Sequence, residues 1–184
     1  MTVLLRLGER IDALSDCLGR LLAWLAVILV LVGVLNVLAR FLGAQLGVAL
    51  ASNGMLEFQS MLFNLLILFG AVWVLRLDGH LRVDVLRSRW SPRCRAWIDI
   101  VGILFLLAPF CLFVVFYSLD FVVRSWAHLE LSANPGGLPR YPVKTLIPVA
   151  FSLLLLQGAS ELIKRLAWLR GHTGAWSESN RGRA

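Results

Sequence analysis

The sequence has three cysteines, Cys17, Cys94 and Cys111, an odd number with no C-x-x-C spacing. That leaves neither a disulfide framework nor a thiolate metal site to build on. It has three histidines, His80, His128 and His172, and none falls inside a long apolar run, which removes the usual axial ligand for a haem held between membrane helices. No G-x-x-x-x-G-K-[ST] or G-x-S-x-G run occurs, so the phosphate-cradling loop of P-loop proteins and the nucleophile turn of α/β-hydrolases are both missing. Charged residues make up 16% of the chain, against about 25% in soluble domains, and they avoid the centres of the apolar runs. A coupled transporter ordinarily keeps an ionisable group there, and no repeat relates the two halves as it does in many transporters. The chain is therefore expected to hold no cofactor or metal and to be no enzyme; it reads as a partner rather than as a catalyst or a pathway.

What the sequence has instead is apolar length. Hydrophobic residues make up 59% and mean hydropathy is +0.78, well above the 45–50% apolar content typical of soluble domains, and the excess is gathered in blocks long enough to span a bilayer. Net charge is +7 with a pI near 10.4. In a soluble chain this balance suggests nucleic acid; here the basic residues flank apolar blocks, so membrane lipid and topology account for it, and no nucleic-acid partner is expected.

The blocks predict an all-α integral membrane protein of four helices preceded by an amphipathic lead. In residues 1–20, Leu4, Leu7, Ile11, Leu14 and Leu18 recur at spacings of three and four, the stripe of a helix face that lies on lipid or on a neighbouring subunit. The membrane domain is 21–170, with spans at 21–42, 56–75, 96–119 and 143–163, and residues 171–184 read as a solvated tail. Asn36 and Arg40 share a face near the far end of the first span, placed either to reach head groups or to make a polar contact inside the bundle. Glu57 and Gln59 open the second span, and Glu57 should lie at the depth of Arg40, either paired with it or separately solvated. In the third span Pro109 predicts a kink, Asp99 lies within reach of Arg95, and the helical pattern continues past Asp120 to Leu129. In the fourth, Gln157 and Glu161 share a face, and Lys164 and Arg165 follow Glu161 at three and four residues, where a local salt bridge forms.

Between the second and third spans, residues 76–95 carry six arginines and two aspartates. Each arginine or aspartate held at mid-membrane costs ~2.5–3.5 kcal/mol, so this loop stays on the side of synthesis. Asp78 and Arg82 are four apart, as are His80 and Asp84; Gly79 marks a sharp exit, and Ser91-Pro92 is a helix start. Residues 43–55 contain no charge. Fourteen of the eighteen Lys and Arg fall in the lead, the central loop or the C-terminal stretch, against Arg40, Arg124, Arg140 and Lys144 elsewhere, which predicts both termini in the cytoplasm. Residues 132–142, with three prolines and Gly136-Gly137, must be a rigid turn. With Trp126, Leu129, Leu131, Leu138 and Tyr141, the 124–142 stretch is more apolar than a free loop requires, which suits a contact surface for a partner or a seat in the lipid interface.

Taken together, N-V-L-A-R-F at 36–41, E-F-Q at 57–59, F-G-A at 69–71, D-G-H-L-R-V-D-V at 78–85, N-P-G-G-L-P-R at 134–140 and the I-P-V…Q-G-A-S-E-L segment at 147–162 resemble the small membrane subunit of tripartite ATP-independent periplasmic (TRAP) transporters, the DctQ-like family. The resemblance implies a bacterial inner-membrane protein that scaffolds a separate large permease subunit. A periplasmic solute-binding protein would deliver an organic acid or similar solute, and an ion gradient would drive uptake. It also marks Arg40, Glu57, Gln59, Asp78, Gly79, His80, Arg82, Asp84, Trp126, Pro135, Gly136, Gly137, Leu138, Gln157 and Glu161 as candidate partner or structural contacts. The competing reading is a four-span membrane anchor subunit of a redox enzyme complex, which a haem absorbance would favour; a self-contained small exporter is disfavoured by the bare membrane centre.

Overall fold

The computed structural model describes residues 2–48, 50, 52–77, 90–134 and 136–170. Among them are α1 (Thr2–Leu46), α2 (Asn53–Arg76), α3 (Pro92–Gly102), a five-residue π-helical turn (Ile103–Leu107), α4 (Ala108–Ala127) and α5 (Tyr141–Leu169). Four helices are long and apolar enough to cross a membrane, with α3, the π turn and α4 counting as one continuous rod.

Helix α1 joins what the sequence pattern divides into a lead and a span. Its 45 residues contain no proline, so nothing stops the helix at residue 20, and at 1.5 Å per residue it is about 67 Å long, twice a hydrocarbon core of ~30 Å. The face it buries corrects the stripe read from the lead. Leu7 and Leu14 are 50% and 53% exposed, whereas Gly8, Asp12, Ser15, Gly19 and Leu22 are buried. These five alternate at spacings of four and three, the seam of a helix packed at a shallow angle on its neighbours. Small residues win the seam because they let backbones approach: a side chain added at Gly19 would run into the indole of Trp73, and one at Gly8 would meet Ser160 Oγ at 3.2 Å. Leu7 and Leu14 are left facing outward, while Leu18 packs against the apolar core.

Helices α2 and α3 start where side chains cap them. Ser52 Oγ accepts from the Met55 amide at 3.4 Å, and Ser91 Oγ accepts from the Cys94 amide at 3.3 Å with Pro92 at the first helical position. Pro109 disturbs the third rod upstream of itself. It has no N–H for the carbonyl four residues back and its ring crowds that carbonyl; the helix answers with the π turn, in which the Ala108 amide reaches back five residues to Ile103. The helical pattern past Asp120 holds to Ala127.

The order of packing makes α5 the centre. It packs against α1, α2, α3 and α4, and 39% of its apolar window is buried against 11% for each of α1 and the α3–α4 rod. Two apolar clusters hold it: Val72, Leu75, Cys111 and Leu154, and then Leu22, Phe69 and Ala150. Both bring α2 alongside α5 in the same direction, with α1 and α4 antiparallel to them. The N-terminus of α1 and the C-terminus of α5 thus share one end of the bundle, the terminal end; the 47–52 and 128–140 connections share the other, the loop end.

Candidate functional site

Polar chemistry is concentrated at these two ends. At the terminal end Asp12 of α1 is the hub. Its carboxylate pairs with Lys164 Nζ and accepts from Gln157 Nε2 at 3.1 Å and Ser160 Oγ at 3.0 Å. Arg76 Nε of α2 lies 3.4 Å away in an ion pair that lacks hydrogen-bond alignment, and Arg76 Nη2 is 3.5 Å from Asp16. Gln157 is fully buried and uses both ends of its amide, accepting from Ser15 Oγ at 2.7 Å. On α5, Glu161 is 3.1 Å from Lys164 Nζ and 3.5 Å from Arg165 Nη2, and Arg165 also contacts Asp99 of α3. Side chains of α1, α2, α3 and α5 are thus joined in one network of four carboxylates and three cations. Charges this buried are tolerable only because each is paired and hydrogen-bonded.

At the loop end Glu57 of α2 is the hub. It accepts from Asn134 Nδ2 at 2.8 Å, from the Leu138 amide at 2.7 Å and from the Ser132 hydroxyl, so one carboxylate gathers the loop between α4 and α5 onto the start of α2. The loop is prepared for this by its own backbone: Leu131 and Pro139 form an isolated antiparallel bridge, the Gly137 amide donates to Asn134 O at 3.0 Å, and Gly136 sits at φ +71°, where glycine carries no steric penalty. Beside it Glu130 accepts from Ser125 Oγ at 2.8 Å and pairs with Lys144. Lys144 and then Ser125 hold the Glu130 carboxyl below the ordinary carboxylate range. Trp126 Nε1 donates to Thr145 Oγ1 at 2.8 Å, and its ring packs edge-on to Tyr141, 4.6 Å between centroids.

Of the residues singled out in the sequence, Gln157 and Glu161 meet at the terminal end, and Glu57, Trp126, Gly136, Gly137 and Leu138 gather at the loop end. Arg40 is exposed beside the 43–50 turn, while Glu57 is taken by the 132–138 loop instead. Gln59 packs against α1 at Gly33. Asp99 pairs across to Arg165 on α5. Asp78, Gly79, His80, Arg82, Asp84 and Pro135 lie outside the described residues. The sequence reading missed Asp12, Ser15, Arg76 and Ser160 as one site. The signal was present in the four-three spacing of small and polar residues from Gly8 to Gly19, which the louder leucine stripe masked. Among the described residues no group of three or more His, Cys, Asp and Glu is arranged to hold a metal ion.

The terminal-end cluster ties helices to one another, and the loop-end cluster ties the loop after α4 to α2. A search of curated proteins and of solved structures gave no match. The family model for the DctQ component of tripartite ATP-independent periplasmic transporters matches residues 29–167, about three quarters of the chain. It runs from mid-α1 to the terminal-end network on α5. The chain belongs to this family and is a small membrane subunit of a TRAP transporter.

Proposed function

We propose that this chain is the scaffold on which a separate large permease subunit stands in a bacterial inner membrane. The large subunit takes up an organic acid or similar solute, driven by an ion gradient, and a periplasmic binding protein brings that solute to the loop end. The terminal end, which carries the basic excess of the sequence, faces the cytoplasm under the positive-inside rule. The observation that carries the reading is the way the fold divides its surfaces. The charged groups of the two clusters are turned inward to clasp its own helices, while α1 and the α3–α4 rod leave most of their apolar length uncovered. A frame locked at both ends with open apolar sides is suited to holding another membrane subunit.

Reconstitution tests it. Liposomes containing this chain alone, with the binding protein and a sodium gradient, should take up no organic acid, and adding the large subunit should restore uptake. Uptake without the large subunit would overturn the scaffold role. Reporter fusions at Asn53 and Gly136 should read periplasm; a cytoplasmic signal at both would invert the orientation, and one at Gly136 alone would sink the four-span topology.

A further inference from the structure

A groove of about 690 Å³ opens at the loop end, walled by α2 and Phe121 of α4 and floored by α5. Its chemistry changes in order with depth. At the mouth stand Arg140, Lys144, Glu57 and Asn134, with the Phe121 ring 4.0 Å under Lys144 Nζ; one to two turns deeper on α2 are Ser60 and Asn64, with Ile147 a turn below Lys144 on α5; deeper still on α2 are Ile67 and Leu68. From Glu57 to Leu68 the helix advances about 16 Å.

The charges at the mouth are unequally committed. Glu57 is saturated by three donors from the loop, and Glu130 by Ser125 and Lys144. Arg140 is exposed and makes one side-chain hydrogen bond, to Ser132 Oγ at 3.2 Å, out of the five N–H donors a guanidinium carries. The two cations and two carboxylates at the mouth balance, so what Arg140 offers is its remaining N–H donors rather than net charge, and a guanidinium is well suited to phosphate oxygens. The side-chain amide of Asn64 points the same way, as an exposed donor and acceptor below the mouth with hydrocarbon beyond it.

We propose that this groove is a binding site for one phospholipid, with its phosphate on Arg140, its glycerol ester region at the depth of Ser60 and Asn64, and an acyl chain along Ile67 and Leu68. Cation, amide and hydrocarbon follow one another in the groove as phosphate, ester and acyl chain do in the lipid.

The test uses the full-length chain in detergent with phosphatidylglycerol carrying a photoreactive group in its acyl chain, read by native mass spectrometry and by mapping the crosslinked peptides. The expected result is one retained lipid per chain, with crosslinks concentrated in 61–68 and 143–147. Unlabelled phosphatidylglycerol should compete and inorganic phosphate should not. Arg140→Gln removes the phosphate anchor and Asn64→Trp fills the groove without touching the anchor; each should lower retention about tenfold, equivalent to ~1.4 kcal/mol. Helicity and elution volume identify a variant that fails to fold, and the other then carries the test. Crosslinks spread evenly over the outer faces of α1 and α4, or unchanged retention in a folded variant, would mean boundary lipid only. Displacement by inorganic phosphate would mean a small-anion site. Either result overturns the proposal.

Discussion

The terminal-end and loop-end clusters use the same side-chain types in opposite settings. At the terminal end Asp12, Gln157, Ser160, Glu161, Lys164 and Arg165 are all buried, and every partner is a side chain or carbonyl on a helix. At the loop end Glu57 is half-buried and Arg140 exposed, and the partners belong to a loop whose amides are free to point inward. The first arrangement joins rods to one another and fails as a whole if one charge is orphaned. The second fastens a loop to a rod, with water at hand to replace a lost donor. The difference places the structural weight of the fold at the terminal end and the adaptable surface at the loop end.

The largest effect should therefore come from the terminal end. Lys164→Met leaves Asp12 and Glu161 buried without their shared cation, and breaking a buried pair costs about 3–5 kcal/mol. The measurement is recovery of folded, monodisperse protein and its melting temperature in detergent. Replacing both members, Asp12→Leu with Lys164→Met, should recover much of the loss, because apolar residues of similar volume often substitute for a buried pair at little cost. A double variant as damaged as the sum of the two single ones would show that the network acts through its other members instead.

How much of this was legible beforehand follows from the range of each interaction. The four helices, the Ser91-Pro92 start and the Glu161–Lys164–Arg165 set on α5 could be read because they depend on neighbours within a few positions. The disturbance at Pro109 was legible for the same reason, though its form, a π turn upstream, was not. The partners of Glu57 were not legible: α1 meets α2 with Gly33 at Gln59 and Gly19 at Trp73, a register that carries Arg40 past Glu57, while 132–138 offers an amide, an amide side chain and a hydroxyl together, from 75 to 81 positions away. The Asp12 hub depends on contacts across 145 to 152 positions, and nothing in a local pattern specifies which helix face turns inward when small residues compete with leucines for it.

A smaller and more local effect is expected at the loop end. Glu57→Gln keeps the shape but removes the charge that three donors share, at a cost of about 1–3 kcal/mol. The loss should appear as faster amide exchange in 132–138, most clearly at the Leu138 amide, with the melting temperature of the bundle little changed. If Glu57→Gln melts the whole protein as Lys164→Met does, the two ends are not different in kind. If exchange at 132–138 is unchanged, the loop is held by its own bridge between Leu131 and Pro139 rather than by Glu57.

The smallest effect is in the pH dependence of the loop end. Glu130 lies outside the helices, against Lys144, Ser125 and Arg140, and its carboxyl titrates below the ordinary value because Lys144 and Ser125 favour the ionised form. A depressed folded-state value means that the unfolded chain binds the proton more tightly than the folded one. Stability from this group is therefore fully present above the unfolded carboxylate value of about 4.3 and is lost as pH falls from there through the lower folded value. Amide exchange near Glu130 and at Arg140, whose N–H donates to Glu130 O at 2.9 Å, should accelerate over this acid range beyond what the intrinsic exchange rate predicts. Glu130→Gln should flatten the local profile without altering the terminal end. A profile that keeps its acid dependence in Glu130→Gln would assign it to another carboxylate, with Glu57 of α2, which accepts from the same loop, the next candidate.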